Sequence, residues 1–288
     1  MKCLVIGAGG QLGHALLATA PAESDVIAPA RSECDLTNDD QIEHWMGEVR
    51  PVVVFNAAAY TAVDAAESDE ANARLINATG AGRLAEAARR HGARLVHVST
   101  DFVFDGETSR PYAPDDEPNP LNAYGRTKRD GDVAVLSSGA DALIVRTAWV
   151  YFERGRNFVH TMLRLMREKD EVRVVSDQVG TPTYARNLAR ALWTLAQKPV
   201  SGVYHVTDSG VASWYDFAVA IREEALARGL IGNAARIVPI STADYPTPAR
   251  RPRFSVLDNG KTWPVLGTTG QHWREALREM LTRIDPND

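Results

Sequence analysis

Cysteine is nearly absent. Cys3 and Cys34 are the only two in 288 residues, which excludes a disulfide framework and any zinc site with four cysteine ligands, and fits a reducing, cytoplasmic compartment. None of the seven histidines stands at a metal-ligand spacing from another His or Cys, so no metal site is expected; His97 falls in an apolar strand and is expected to pack there. An excess of positive charge is missing too. At a formal net charge of −5 the chain has no general field that would draw phosphate backbones or anionic lipid, so neither a nucleic-acid nor a membrane partner is expected. Long apolar runs are also lacking. "MKCLVIGAGGQLG" soon breaks into glycines, and "PVVVFNAAAYTAV" stops short of the ~20 residues that a membrane helix needs. The remainder, 44% hydrophobic and 24% charged, is ordinary globular composition, with length for one large core or two modest ones.

Short apolar runs alternate with amphipathic stretches in the first half: "KCLVIGA", "QLGHALLATA", "DVIAPAR", "DQIEHWMGEVR", "VVVFNAA", "RLINATGAGRLAEAARRHG" and "RLVHVST". Strands rich in β-branched residues between helical patterns predict βαβ units, hence an α/β, doubly wound parallel sheet of the Rossmann type over residues 1–150. "ALIVRTAWVY" predicts a further strand, and Phe158, Met162, Leu165 and Met166 have helical spacing. Beyond it, Pro and Gly punctuation in "DQVGTPTY", "DYPTPARRPRF" and "TWPVLGTTG" predicts a smaller α+β substrate lobe over 151–288. "YARNLARALWTLAQ" and "GVYHVT", within 184–206, read as a helix and strand that return to the first sheet, so the lobes are expected to interleave.

Gly7, Gly10 and Gly13 in "GAGGQLG" stand between a predicted strand and helix. Such spacing allows a tight turn, close backbone approach to a diphosphate, and free N–H groups at the helix start, here Gln11 and Leu12, aimed at anionic oxygen. A dinucleotide site is the reading; a βα turn that binds nothing is the alternative. The residue ending the second strand selects the adenosine ribose. Arg31, followed by Ser32, favours NADPH there, although nearby Glu33 leaves NADH open. Asp35 and Leu36 follow where the adenine would lie; otherwise they are a helix N-cap and a core residue.

"NAYGRTKRD" places Tyr124 and Lys128 four apart, on one face if the stretch is helical. An ammonium near a phenol stabilises the phenolate and lowers a pKa that is ordinarily about 10, which suits the pair to proton transfer. Upstream, the apolar strand "RLVHVSTDFVFDG" ends in Ser99, Thr100 and Asp101, and ligands of open parallel sheets bind beyond strand carboxyl ends.

Glycine turn, strand-end hydroxyl and Tyr/Lys pair together resemble the extended short-chain dehydrogenases/reductases, which act on sugar nucleotides. "GAGGQLG", "FNAAAYTAVDAAE", "STDFVFDG", "PLNAYGRTK", "RTAWVY" with "NFVHTML", "DQVGTPT", "SWYDFA" and "YPTPARRPRFSVLD" narrow the resemblance to the dTDP-4-dehydrorhamnose reductase family. They run from residue 7 to 258. The departures are Phe102 where Tyr is usual, Asp132 where Glu is common, and a variable "FERGR" loop.

The resemblance implies NADPH-dependent reduction of the C4 ketone of a dTDP-6-deoxy-4-keto-hexose, with Tyr124 as proton donor. Lys128 would hold the nicotinamide ribose and depress the phenol pKa, and Thr100 would hydrogen-bond the keto oxygen. Thr61, Val63 and Asp101 would border the sugar, and Ala57, Ala58 and Ala59 are small enough for backbone to approach the cofactor. Trp149 could stack a hexose face, with burial as the alternative. Asn157, Gln178 and Arg251 are candidates for diphosphate or thymidine contacts. The family allows a homodimer. A 4,6-dehydratase is disfavoured because Phe102 cannot shuttle a proton; a 4-epimerase and a non-catalytic dinucleotide-binding subunit are the other rivals.

Overall fold

Along the first strand, Cys3 and Val5 point to one side and Leu4 and Ile6 to the other, and all four are buried. Burial on both faces is the signature of a parallel sheet covered by helices. The computed structural model describes residues 1–232 and 235–284. Its central sheet has six parallel strands: β1 (Lys2–Ile6), β2 (Asp25–Ile27), β3 (Val53–Asn56), β4 (Arg94–Thr100), β5 (Ala142–Thr147) and β6 (Gly202–His205). Their order is β6-β5-β4-β3-β1-β2. The direction of winding reverses between β1 and β3, and this switch point is where such sheets bind ligands.

One face is covered by α2 (Asp39–Val49), α3 (Ala81–Arg90) and α4 (Ala123–Ser137), through Ile42, Met46, Leu84, Ala88 and Val135. The other is covered by α1 (Gln11–Ala18), α5 (Phe158–Glu168), α6 (Ala185–Ala196) and α7 (Trp214–Ala227). In α5, Met162 and Met166 are buried with Val159 and Leu163, while Phe158 and Leu165 lie at the edge of the core. Trp193 of α6 donates from Nε1 to Leu16 O at 3.1 Å and sets its ring edge-on to Phe55, locking α6 onto α1 and β3.

Chain beyond residue 150 thus returns to the sheet through α6 and β6. Its remaining strands form three small ribbons: Val150–Tyr151 with Thr183–Tyr184, Glu171–Val175 with Arg236–Ile240, and Val179–Gly180 with Ala212–Ser213. Tyr151, Phe217 and Trp273 share one continuous apolar cluster with Val5, Phe55 and Val145 of the sheet. The second strand is shorter than expected. It ends at Ile27, and Ala28–Pro29–Ala30 intervene before Arg31. Among the described residues no helix is long and apolar enough to cross a membrane.

Candidate active site

The glycine turn is shaped by what it touches. Gly7 has φ +85°, and a β-carbon there would lie 2.5 Å from Ala58 N. One on Gly13 would run into the Gly7 carbonyl oxygen and sit 2.5 Å from Ala8 Cα. Gly10 N–H donates to Gly7 O at 3.1 Å, and Gly10 caps α1 without any side chain. The first N–H groups of α1 are therefore left for a ligand, at the positive end of the helix dipole. Leu12 is a core residue whose contribution is its backbone. Across the switch point, Ala57 N–H is held by Ile6 O at 2.9 Å and Ala58 N–H by Asn56 Oδ1 at 3.2 Å. Glycines and alanines face one another over a cradle that larger side chains would fill, which fits a dinucleotide diphosphate.

Beyond β2, the Arg31 side chain is 78% exposed and lies 3.3 Å from Asp35, so its guanidinium stands free of any buried partner. Glu33 turns back to accept from Ala30 N–H at 2.8 Å. Asp35 is not the cap of α2: Asn38 is, accepting from Gln41 N–H. Asp35 instead accepts from Thr37 N–H, a bond that, with Arg31 adding to it, holds its carboxyl below the usual range. Leu36 is buried against Gly80, where a β-carbon would sit 2.8 Å from its side chain.

Helix α4 opens with Asn122, whose Oδ1 accepts from Gly125 N–H at 2.8 Å. It lies close because Gly125 abuts the Phe102 carbonyl and Gly131 the Asn77 carbonyl; a β-carbon at either would overlap those oxygens. Backbone contact at both glycines brings Tyr124 and Lys128 down onto the end of β4. There Thr100 Oγ1 accepts from Phe102 N–H at 3.2 Å and donates to Asp101 Oδ1 at 3.0 Å. The Tyr124 ring meets Phe102 edge-on at 5.7 Å, and Thr100 lies near enough to its hydroxyl to act on its proton. Lys128, 2% exposed, donates from Nζ to Val98 O at 2.7 Å.

Electrostatics at this end are set by burial. Burial pushes the Lys128 ammonium down to about 8, opposed by Asp132, and pushes Asp101 up to about 6. The phenol of Tyr124 is driven up to about 12 by burial, with Thr100 pulling the other way. The expected depression by Lys128 does not appear: desolvation leads the shift, Asp101 and Asp132 add to it, and the Lys128 ammonium is turned to Val98 O. A proton donor needs its proton, and this phenol keeps it.

The remaining sequence candidates separate. Ala59 and Val63 are half-buried and Thr61 is exposed, in the segment leaving β3. Trp149 adopts φ +49°, rare for a non-glycine residue, and stacks on Trp214 with centroids 3.6 Å apart. One indole face is thus occupied by another indole. Asn157 caps α5 and donates from Nδ2 to Gln11 Oε1 at 3.0 Å, which joins it to the glycine turn. Gln178 is buried and donates to Thr242 Oγ1 at 3.1 Å. Arg251 is bound at both nitrogens by Asp64, at 3.0 and 2.8 Å. Each of these last two thus has an internal partner in addition to whatever it offers a ligand.

Several side chains of the site went unsuspected. Asn77 lies in a π-helical turn, Leu75–Gly80, a form that recurs at functional sites. It clasps Tyr60 through N–H and C=O at 2.8 and 3.1 Å and donates to Thr127 Oγ1 at 3.1 Å, tying the chain after β3 to α4. Asp132 forms a buried ion pair with Arg146 at 3.1 Å. His97 does pack within its strand, but against Asn56 and Lys128.

A dinucleotide cradle at the switch point with a Tyr/Lys helix and a strand-end Thr beside it defines a dinucleotide-dependent oxidoreductase of the extended short-chain type. The chain matches the RmlD substrate binding domain family over residues 1–285. It is 46% identical to the dTDP-4-dehydrorhamnose reductase of Burkholderia thailandensis, covering 98% of this chain and 100% of that protein. It is 42% identical, over 99% and 96%, to a Streptomyces antibioticus protein described as a probable dTDP-4,6-dihydroxy-2-methyloxan-3-one 4-ketoreductase. The crystal structure of dTDP-4-dehydrorhamnose reductase from Bacillus anthracis in complex with NADP superposes with a TM-score of 0.92 at 35% identity, covering 98% of this chain and 99% of that one. The chain belongs to the dTDP-4-dehydrorhamnose reductase family.

Proposed function

We propose that the protein reduces the C4 ketone of dTDP-4-dehydro-L-rhamnose to the alcohol of dTDP-L-rhamnose with NADPH. The observation that carries this reading is the convergence of Tyr124, at the start of α4, and Thr100, at the end of β4, beside the glycine cradle. NADPH supplies the hydride when bound. Gly7, Gly10, Gln11, Leu12, Gly13 and Ala57 to Ala59 hold the dinucleotide, and Arg31 meets the 2′-phosphate, as its exposure and its loose pairing with Asp35 permit. Tyr124 delivers its proton to the carbonyl oxygen as charge develops there. Thr100 donates to the same oxygen, a contact that strengthens in the transition state. Lys128 keeps the cation behind the phenol and favours loss of the proton at that moment.

The sugar lies between Tyr124, Asp101, Thr61, Val63 and the open edge of Trp149. A cavity of about 560 Å³ lined by Tyr245, Arg250, Arg251 and Arg253, with Leu121 just before α4, suits the nucleoside diphosphate. Of its arginines, Arg250 and Arg253 are exposed, Arg250 lying 3.9 Å from Glu107; Arg251 braces the wall through Asp64. Residues 1–150 with 185–205 form the dinucleotide side, and the rest of 151–288 the sugar-nucleotide side. The chemistry is that of a small-molecule enzyme in the cytoplasm, and a homodimer is compatible with it.

The Streptomyces relative is a reason to keep a second 4-keto-6-deoxy sugar in view. The test is nicotinamide absorbance during incubation with NADPH and dTDP-4-dehydro-L-rhamnose. Stoichiometric oxidation to dTDP-L-rhamnose is expected. Oxidation with another dTDP-4-keto sugar alone reassigns the substrate, and cofactor binding without oxidation of either leaves a non-catalytic subunit.

A further inference from the structure

Behind Lys128 runs a line of buried polar groups that the reduction chemistry does not use. Ala58 N–H donates to Asn56 Oδ1 at 3.2 Å, and Asn56 Nδ2 lies 3.0 Å from His97 Nδ1. His97 Nε2 in turn stands 3.5 Å from Lys128 Nζ, a long contact. Asn56 and His97 are 1% exposed and Lys128 2%, so their partners are protein groups: one another and, for Lys128 Nζ, also Val98 O.

With the Nζ–H to Val98 O bond kept and the His97–Lys128 contact counted as a hydrogen bond, donor counting leaves two arrangements. If Asn56 Nδ2 donates to Nδ1, a neutral imidazole carries its proton on Nε2 and points it at Lys128, which must then offer a lone pair as the neutral amine. If Lys128 is an ammonium, it donates to Nε2. The imidazole proton is then on Nδ1 and donates to the Asn56 oxygen. That requires the amide to turn over, and it releases Ala58 N–H to another acceptor. Passing from the first to the second takes up one proton overall. Nζ gains it, and the imidazole exchanges Nε2–H for Nδ1–H without changing its own charge.

We propose that His97 is a positioning residue whose tautomer is locked to the protonation state of Lys128, so that hydrogen bonding at Ala58 N–H is transmitted to the Lys128 amine. The lock stands on the free protein. Its coupling to dinucleotide binding rests on the reading of Ala57 to Ala59 as the cofactor turn: an acceptor placed on Ala58 N–H favours the ammonium. The charge that acts on His97 is Lys128, and the charge that acts on Lys128 is Asp132 of α4, itself bound by Arg146 of β5. Asp132 favours the ammonium and burial opposes it. Burial and the Lys128 charge both hold His97 well below its ordinary pKa, which keeps the ring neutral.

The experiment is nitrogen NMR of the full chain labelled with ¹⁵N-histidine, without cofactor, from about pH 6 to about pH 10, a span that brackets the ordinary values of His and nearly that of Lys. The His97 signals are assigned by their loss in His97→Gln. Expected is a neutral ring throughout, Nδ1–H at the acid end and Nε2–H at the alkaline end, with a midpoint at the lysine transition near about 8. One tautomer across the whole range, or an imidazolium at the acid end, overturns the proposal. Saturating NADP⁺ is expected to move the midpoint up by about one unit, the effect of one hydrogen bond to a charged group. Binding of NADP⁺ with no movement overturns the coupling; no binding at all speaks against the dinucleotide reading, while the free-protein titration still decides the lock. His97→Gln, of similar size and polarity but without tautomers, is expected to bind NADP⁺ without the proton uptake that calorimetry in two buffers detects in the wild type. Undiminished uptake in that variant also counts against the lock.

Discussion

At the glycine turn, backbone meets backbone. Gly7 lies against Ala58, Gly13 against Gly7 and Ala8, and a single added carbon has nowhere to go. Around Tyr124 the contacts are between side chains: a phenol on a threonine, a lysine beside a histidine, a carboxylate on an arginine. The first half of the site tolerates no change of volume, whereas the second tolerates isosteric changes and responds to changes of charge and proton. The difference predicts that substitutions in the first half abolish binding and stability together, while those in the second separate binding from turnover.

Gly13→Ala tests the backbone half with the largest effect. It should cost about 3 kcal/mol of stability, the upper end for overpacking, and with it dinucleotide binding. Urea denaturation and NADPH fluorescence titration measure both; a stable variant that binds normally would break the comparison. The side-chain half should instead show a pH signature. Lys128 with a pKa of about 8 is charged below that value and neutral above it. The kcat/KM for NADPH, which reports the free enzyme, should accordingly fall as pH rises through about 8, toward tenfold for each further unit, while Tyr124 keeps its proton over the range. A pH–rate profile flat to the alkaline end contradicts the assignment of the cation.

Trp214→Ala removes the ring stacked on Trp149 and should raise KM roughly three- to tenfold, the value of one aromatic pair, with kcat less affected. An equal fall in kcat would place the indole in the transition state. The smallest effect is expected at the exposed edge. Arg31→Ala should weaken NADPH by roughly two- to fivefold, a surface charge contact, and leave NADH unchanged; equal losses for both remove Arg31 from the 2′-phosphate.

What the sequence could reveal follows the same division. Gly7 and Gly13 were legible because backbone sites leave a spacing in the chain, and Tyr124 and Lys128 because four residues make one helical turn. The internal partners of Arg251 and Gln178, Asp64 and Thr242, were not legible because folding brings them from 187 and 64 residues away. The role of His97 was invisible for a similar reason. Its neighbour Lys128 reaches it only because Gly125 and Gly131 let α4 descend onto β4, and a glycine in a helix announces no such contact. The early end of β2 and the π turn at Leu75–Gly80 left no mark that propensity could read.

The central claim is that a protonated phenol at Tyr124 delivers the proton to the ketone. Single-turnover oxidation of NADPH by Tyr124→Phe, alongside NADPH titration, tests it most directly. The account predicts NADPH affinity within about twofold of wild type and a rate reduced by about 10² to 10⁴, the value of one general acid. A variant that binds NADPH and turns over within about twofold of the wild-type rate would contradict it.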